Sequence, residues 1–179
     1  MFNNEISFEI DVSNGYNNVQ VDIQGDASQQ LEYVPSYSEW DETSDLVTGT
    51  YDPGDNSGQY EIEVTGNETS TGDDVTEGPI SFTYDNSPPE ISSQSPEVDG
   101  FTSEDNPDIE ASFEDSVSDL QNASISFEGE TDEETSIGSS SQDLSIDGND
   151  YDSLDDGSHT VDYEAYDEAG NRLEGSWDF

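Results

Sequence analysis

The amino-acid sequence contains the same series of short alternating segments twice, and this repeat restricts the fold more than any other feature. Residues 17–25 align with residues 121–129 without a gap, at an offset of 104 positions (121 minus 17). Residues 58–64 align with residues 157–163 at an offset of 99 (157 minus 58). Apolar and polar side chains alternate in these segments, which is typical of β-strands with one buried and one solvated face. Because internal self-similarity indicates repeated structural units, the sequence predicts an all-β protein made of two related copies.

Two further segments extend the alignment to both ends of each copy. Residues 6–10 align with residues 109–113, and residues 80–84 align with residues 175–179 at an offset of 95 (175 minus 80). No long window shows the spacing of an amphipathic helix, and clusters of Gly, Asn, Asp and Ser recur at intervals typical of the turns in a β-sandwich. Each copy is therefore predicted to be an antiparallel β-sandwich.

A pair of prolines within residues 85–89 separates the two copies. Proline lacks the N–H that a central strand donates and holds the chain extended, so this segment is predicted to be a linker between domain 1–86 and domain 87–179. The second copy opens with an additional segment, residues 88–100, and the first domain is predicted to lack this strand A. We interpret the chain as a segment of a longer array of such domains. The alternative is a complete chain whose first domain accepts a strand from a partner.

The charge of the chain indicates the solvent in which it folds. There are 46 Asp and Glu residues against one Lys or Arg, which is Arg172, for a formal net charge of -45. Such charges repel each other over ~10 Å at 0.1 M salt, but over ~3 Å or less at several molar. The composition resembles that of proteins from extreme halophiles, in which carboxylates keep the surface hydrated. A hydrophobic content of 28% is also typical of disordered acidic chains, but the ordered alternation of apolar residues favours folded strands.

A family resemblance lies in residues 154–161 (LDDGSHTV) and 165–171 (AYDEAGN). These segments resemble the E–F corner, the F strand and the F–G turn of immunoglobulin-like domains that occur in tandem on bacterial and archaeal cell-surface proteins. In the first copy, residues 56–62 are similar to the tyrosine-corner segment of immunoglobulin domains, and Tyr60 is matched by His159. The resemblance implies an all-β protein of two tandem immunoglobulin-like antiparallel β-sandwiches.

The function implied by this resemblance is that of a non-catalytic extracellular module. Such a module serves as a stalk, an envelope-layer (S-layer) segment or a cell-adhesion segment of a larger exported surface protein. Its implied partners are neighbouring domains of the same protein, or another cell-surface protein or glycan. Two alternatives stay open: a module that binds a carbohydrate or protein ligand, and a filament subunit assembled by β-strand addition.

The residue inventory argues against several other classes of protein. His159 is the single histidine and there is no cysteine, so a hydrolytic triad lacks its usual parts, and the match with Tyr60 favours a structural role for His159. A catalytic pair of carboxylates needs only two acids, and among 46 acids such a pair carries no information. Nucleic acid is excluded as a partner because a phosphate backbone needs Lys and Arg. No stretch reaches the ~20 apolar residues of a membrane span, so direct membrane insertion is not expected.

A calcium site is predicted where the linker enters the second domain. The linker is expected at the end of that domain that carries the B–C and F–G loops, where acidic residues from three segments should converge. Ca²⁺ prefers six to eight oxygen ligands, and the arrangement resembles the interdomain calcium sites of cadherins and some bacterial adhesins. The candidate ligands are Asp85, Asn86, Asp115, Asp119, Asp167 and Asn171. The competing interpretation is a solvated acidic surface that holds diffuse Na⁺ or K⁺ and requires no cofactor.

Two N-glycosylation sequons, at Asn67 and Asn122, matter if the chain is exported. Such triplets arise easily by chance in a sequence this rich in Asn, Ser and Thr, and Asn67 is the stronger candidate because it falls in the longer F–G region of the first copy. Trp40 and Trp177 are able to stack on sugars, but packing within the sandwich is the favoured interpretation for both.

Overall fold

In the computed structural model, the chain forms antiparallel β-strands throughout the part that the structure describes. All regular secondary structure there is β-strand, which confirms the predicted all-β class. The chain divides into two compact units, Met1–Asn86 and Ser87–Phe179. The described residues are 6–11, 16–25, 40–41, 46–51, 53–54, 56–68 and 70–179.

The strands described in the first unit form two sheets. One sheet has the order β1-β4-β3 and the other has the order β2-β5-β6. The strands are β1 (Ile6–Asp11), β2 (Tyr16–Gly25), β3 (Trp40–Asp41), β4 (Leu46–Tyr51), β5 (Gly58–Glu68) and β6 (Asp74–Tyr84).

In the described part of the first unit, β2 and β5 contribute buried apolar side chains. Val21 and Ile23 on β2 are buried, and so is Tyr60 on β5. In the antiparallel register Ile23 lies opposite Ile62. The ring of Tyr60 stacks on Phe82 of β6, with 5.6 Å between the ring centroids. The alternating apolar residues of this sheet therefore pack with one another across neighbouring strands.

The second unit also consists of two sheets. One has the order β11-β8-β7 and the other has the order β10-β9-β12-β13. The strands are β7 (Glu90–Ser95), β8 (Ile109–Glu114), β9 (Leu120–Phe127), β10 (Glu130–Ser139), β11 (Ser141–Ile146), β12 (Thr160–Asp167) and β13 (Arg172–Asp178).

An apolar core forms in the second unit because both sheets contribute their alternating apolar residues to it. On β8, Ile109, Ala111 and Phe113 are buried, whereas Glu110 and Glu114 are exposed. Removal of apolar surface from water, worth about 25 cal/mol per Å², favours this separation of the two faces. The core residues are Ile109, Ala111, Phe113, Leu120, Ala123, Ile125, Phe127, Leu144, Ile146, Val161, Ala165 and Trp177.

The strand registers reproduce the sequence repeat. Val21 of β2 lies opposite Val64 of β5, and Ile125 of β9 lies opposite Tyr163 of β12. Adding the offset of 104 to the number of Val21 gives Ile125, and adding the offset of 99 to that of Val64 gives Tyr163. The two units therefore share the arrangement of these strands.

The predicted equivalence of the last strands of the two units was wrong by two residues. The offset of 95 matched Phe82 with Trp177, but the structure places Phe82 opposite Tyr60. Phe179 exchanges main-chain hydrogen bonds with His159, both of 3.1 Å. Because Tyr60 and His159 are equivalent, Phe82 corresponds to Phe179, at an offset of 97 (179 minus 82). A slip of two residues keeps every side chain on the same face of a sheet, so the alternation could not reveal it.

Tyr60 and His159 make equivalent hydrogen bonds in the two units. The Tyr60 hydroxyl donates to the carbonyl of Asn56 at 2.6 Å. His159 Nε2 donates to the carbonyl of Asp155 at 2.9 Å, again four residues earlier. The imidazole also packs against the ring of Phe179, with 5.8 Å between centroids. This geometry agrees with the structural role predicted for His159.

Among the described strands the two units differ at more than one sheet edge, and one of these differences lies at β8 and its equivalent β1. In the second unit, β8 pairs with β11 on one side and with β7 on the other. In the described part of the first unit, the equivalent strand β1 pairs with β4 alone. This difference is the one expected if the first domain lacks the strand that corresponds to β7.

We predict that His159→Ala destabilises the second unit and that His159→Tyr does not. Alanine removes the packing on Phe179 and the hydrogen bond to Asp155, which should cost about 1–3 kcal/mol of unfolding free energy. Tyrosine should restore both, because Tyr60 makes the same hydrogen bond in the first unit. Thermal unfolding in ~3 M KCl, followed by circular dichroism, measures the effect. Equal melting of His159→Ala and the wild type would contradict the assignment of this corner.

Candidate functional site

Asp115 begins the loop between β8 and β9. It directly follows the last residue of β8, and only 7% of its surface is exposed. Its Oδ1 accepts hydrogen bonds from the main-chain N–H groups of Val117 and Ser118, both at 2.8 Å. Aspartate commonly accepts such bonds from residues a short distance ahead, which fixes the turn that follows. Asp115 therefore holds the conformation of this loop.

Asp167 has the same role in the turn between β12 and β13. It is the last residue of β12 and is fully buried. Its Oδ1 accepts the main-chain N–H of Asn171 and its Oδ2 accepts the side-chain Nδ2 of Asn171, both at 2.8 Å. Gly170 has a φ of 91°, a conformation that favours glycine and lets the chain reverse here. Asp167 therefore holds both the turn and the side chain of Asn171.

The two buried aspartates lie close together at one end of the core. A carboxylate oxygen of Asp115 is within 4.8 Å of one from Asp167. Two negative charges at this distance repel each other by on the order of 3 kcal/mol at an effective dielectric constant of about 20. The N–H donors around each carboxylate offset part of this repulsion, and a cation between the oxygens would offset more. Carboxylate oxygens are ligands that Ca²⁺ prefers, so this pair is the centre of a candidate cation site.

The other predicted ligands are divided between the two units. In the second unit Asp119 is exposed, and its carbonyl accepts the N–H of Glu168 at 2.9 Å, which ties the β8–β9 loop to the β12–β13 turn. In the first unit Asp85 is half-buried, and the N–H of Asn86 donates to Ser57 Oγ at 2.8 Å. Within the second unit, the predicted ligands that lie together are Asp115, Asp167 and Asn171.

Arg172 is bound by two carboxylates on the outer face of the four-stranded sheet. Its Nε lies 2.6 Å from Glu164 Oε1, and its Nη1 lies 2.6 Å from Glu174 Oε2. The guanidinium is 5.6 Å from the ring centroid of Tyr166, whose hydroxyl donates to Glu164 at 2.7 Å. Hydrogen bonds from Tyr166 and then Arg172 lower the pKa of Glu164 below its usual range. The hydrogen bond to Glu164 in turn raises the pKa of Tyr166.

The two sequons occupy different positions in their sheets. Asn67 lies on β5 near the β5–β6 hairpin, where its Nδ2 donates to the carboxylate of Asp74. Asn122 lies on β9, between β10 and β12, and is half-buried. Its Oδ1 is buried and has no hydrogen-bond partner in the described residues. Asn67 is therefore closer to a turn, and glycosylation of either residue stays a prediction.

The tryptophans do not form an exposed stacking surface in the described part of the chain. Trp177 is 4% exposed and belongs to the core of the second unit, as predicted. Its Nε1 has no hydrogen-bond partner in the described residues. The side chain of Trp40 lies outside the described residues.

Sequence reasoning did not identify Phe101 as a surface residue. Phe101 is fully exposed, and Val98 in the same loop between β7 and β8 is 52% exposed. Phe101 lines a cavity of about 660 Å³ together with Leu154, His159 and Phe179. One feature of the sequence indicated this exposure: Phe101 belongs to none of the alternating segments. An apolar residue outside these segments has no predicted position in the core.

Comparisons with known proteins do not identify a family. No protein-family model matches the chain, and the search of curated proteins gives no significant match. In the part of the chain that the structure describes, no helix is long and apolar enough to cross a membrane.

We predict that Tyr166→Phe raises the pKa of Glu164 toward its usual range. A lowered folded-state pKa stabilises the protein above the unfolded-state pKa, and this stabilisation is lost as the pH falls through the folded-state pKa. The variant should therefore be less stable than the wild type at neutral pH and equal to it once Glu164 is protonated in both states. NMR titration of the Glu164 carboxyl carbon measures the shift. Tyr84→Phe, which removes a hydroxyl from the first unit, is the control, and an unchanged pKa in Tyr166→Phe would contradict the assignment.

Proposed function

We propose that the chain consists of two tandem immunoglobulin-like β-sandwiches that serve as a non-catalytic structural or adhesion module. In this proposal the module belongs to an extracellular surface protein of an extreme halophile, and its partners are neighbouring domains or another surface protein or glycan. The observation that carries the proposal is the hydrogen bond from Tyr60 and from His159 to the carbonyl four residues earlier. Two units that share even this hydrogen bond are typical of a protein built from repeated domains.

The roles of the reactive side chains support a non-catalytic module. His159 donates its Nε2 proton to a main-chain carbonyl. Asp115 and Asp167 accept hydrogen bonds from the loops that follow them. These groups stabilise the conformation of corners and loops, which is a structural role.

The charge of the chain supports the halophilic part of the proposal. Acidic residues occupy the solvent-facing positions of core strands, as Glu110 and Glu114 do on β8. Arg172 already binds Glu164 and Glu174 and is the single Lys or Arg in the sequence. Screening by mobile ions therefore has to replace the internal ion pairs that other proteins use.

Folding is predicted to depend on salt. At low ionic strength, repulsion among the carboxylates should exceed the ~5–15 kcal/mol by which ordinary domains are stable. Circular dichroism between ~0.1 and ~4 M KCl should show a cooperative gain of β-structure, and NaCl should act similarly because screening does not require a specific ion. A β fold of equal stability at both ends of this range would overturn the halophilic part of the proposal.

We include a calcium site in this proposal, centred on Asp115 and Asp167. Glu90 pairs with Glu114, so the chain that leads into β7 arrives beside Asp115. Diffuse Na⁺ or K⁺ at the acidic surface is the competing explanation.

Calcium is predicted to bind in ~3 M KCl and to raise the melting temperature. Asp167→Asn should weaken binding by about tenfold or more, because it removes a charged ligand. Glu110→Gln removes the same charge from an exposed position on β8 and is the matched control. Isothermal titration calorimetry with CaCl₂ measures the affinity. Absence of binding heat, or equal affinity in all variants, would leave diffuse monovalent ions as the explanation.

A filament subunit assembled by β-strand addition is the second candidate function. It is favoured by the edge of β1, which in the described part of the first unit pairs with β4 alone. An unpaired edge offers main-chain N–H and C=O groups to an added strand. Electron microscopy over a range of concentrations distinguishes this candidate, because strand addition should give polymers and a stalk module should not.

A further inference from the structure

We propose that the cavity beside Phe101 in the second unit binds a neutral carbohydrate, with Phe101 as the stacking surface. The proposal rests on the extracellular function proposed above and names a ligand class for it. The cavity has a volume of about 660 Å³. This value is within the range of roughly 300–1,000 Å³ that is usual for small-molecule sites.

Three rings and one aliphatic side chain are among the residues that line this cavity. Phe101 is fully exposed in the loop between β7 and β8. Leu154, His159 and Phe179 also line the cavity, and the rings of His159 and Phe179 are 5.8 Å apart with an angle of 34° between them. The apolar C–H face of a pyranose stacks on such rings, because its contact with them removes apolar surface from water.

Main-chain hydrogen bonds hold the loop that carries Phe101. The N–H of Asp99 donates to the carbonyl of Asp178 at 2.8 Å, and the N–H of Leu154 donates to the carbonyl of Asp105 at 2.9 Å. Phe101 lies between these two attachments. The exposed ring is therefore presented by an anchored loop, which reduces the entropy lost when a ligand binds.

The rim of the cavity is rich in hydrogen-bond acceptors. Ionised carboxylates accept hydrogen bonds and do not donate them, so the matching ligand has to supply donors around an apolar face. The hydroxyl groups of a neutral sugar meet this requirement, whereas the carboxylates of an acidic sugar add acceptors where donors are needed. The carboxylates of the rim belong to Asp99, Glu104, Asp105, Asp155, Asp156 and Asp178.

A basic peptide would also match an acidic rim, but high salt favours the sugar. At several molar salt, charge attraction extends over only ~3 Å or less. Apolar contact is not screened in this way, and some salts strengthen it. Stacking on Phe101 therefore retains its contribution under the conditions in which the chain is proposed to fold.

The test uses the full chain in ~3 M KCl, with folding checked by circular dichroism. Saturation-transfer NMR would be recorded with mannotriose, cellotriose and triacetylchitotriose as neutral probes, trigalacturonic acid as an acidic probe and trilysine as a basic probe. We expect transfer to at least one neutral trisaccharide and none to the acidic one. Phe101→Ala should weaken that binding by about tenfold without changing the melting temperature, because the ring is fully exposed. Ile80→Ala removes an exposed side chain from β6 and is the matched control that should bind like the wild type.

Several outcomes would overturn the proposal. They are the absence of transfer to all three neutral sugars, equal binding by Phe101→Ala and the wild type, and binding of trilysine alone. A dimer that forms in sedimentation experiments and disappears in Phe101→Ala, without sugar binding, would assign the surface to a second copy of the chain. A chain that folds only in high salt can give any of these results. Failure of the carbohydrate proposal is therefore distinguishable from failure of the proposed function.

Discussion

With 46 acidic residues and a single Lys or Arg, repulsion among carboxylates is the constraint to which the rest of the structure has to conform. Arg172 can offset only the charges beside it, and it lies between Glu164 and Glu174. Other carboxylates are stabilised by the main chain, as Asp115 is by two N–H groups. Hydrogen bonds to the charged form of a carboxylate reduce the cost of burying it. Main-chain donors at a few loops therefore supply part of the compensation that cationic side chains give in other proteins.

The apolar interior has to oppose this repulsion with few aliphatic residues. In the second unit the two sheets meet over one core, and aromatic rings such as Phe113, Phe127 and Trp177 supply much of its volume. Each large ring removes more apolar surface from water than an aliphatic side chain does. The corner formed by His159 and Phe179 continues this packing at one end of the sheet. A chain with 28% hydrophobic residues can thus form a continuous core.

The sequence was sufficient to predict the strands and the repeat, because a side-chain period of two is a direct property of the extended backbone. It was not sufficient to align the last strand. The sequence alignment matched Phe82 with Trp177, whereas the structural equivalent of Phe82 is Phe179, two residues later. In the site, the loops placed Asp115 near Asp167 as expected, but their bonds to N–H groups depend on loop torsions that composition does not specify. For Phe101 the sequence indicated only a position outside the alternating segments, and its full exposure follows from the path of one anchored loop.

Aspartate and glutamate contribute the same charge, yet the loops after β8 and β12 distinguish between them. Asp115 and Asp167 accept N–H groups two to four residues ahead, and a glutamate carboxylate, one methylene farther from the main chain, does not fit this short turn. Exchanges between the two acids are therefore neutral on exposed strand faces but disruptive at these positions. Variants that exchange Asp and Glu all have the same net charge. A comparison of their stabilities would consequently identify the loops whose conformation depends on hydrogen bonds to aspartate, which a measurement of net charge alone cannot do.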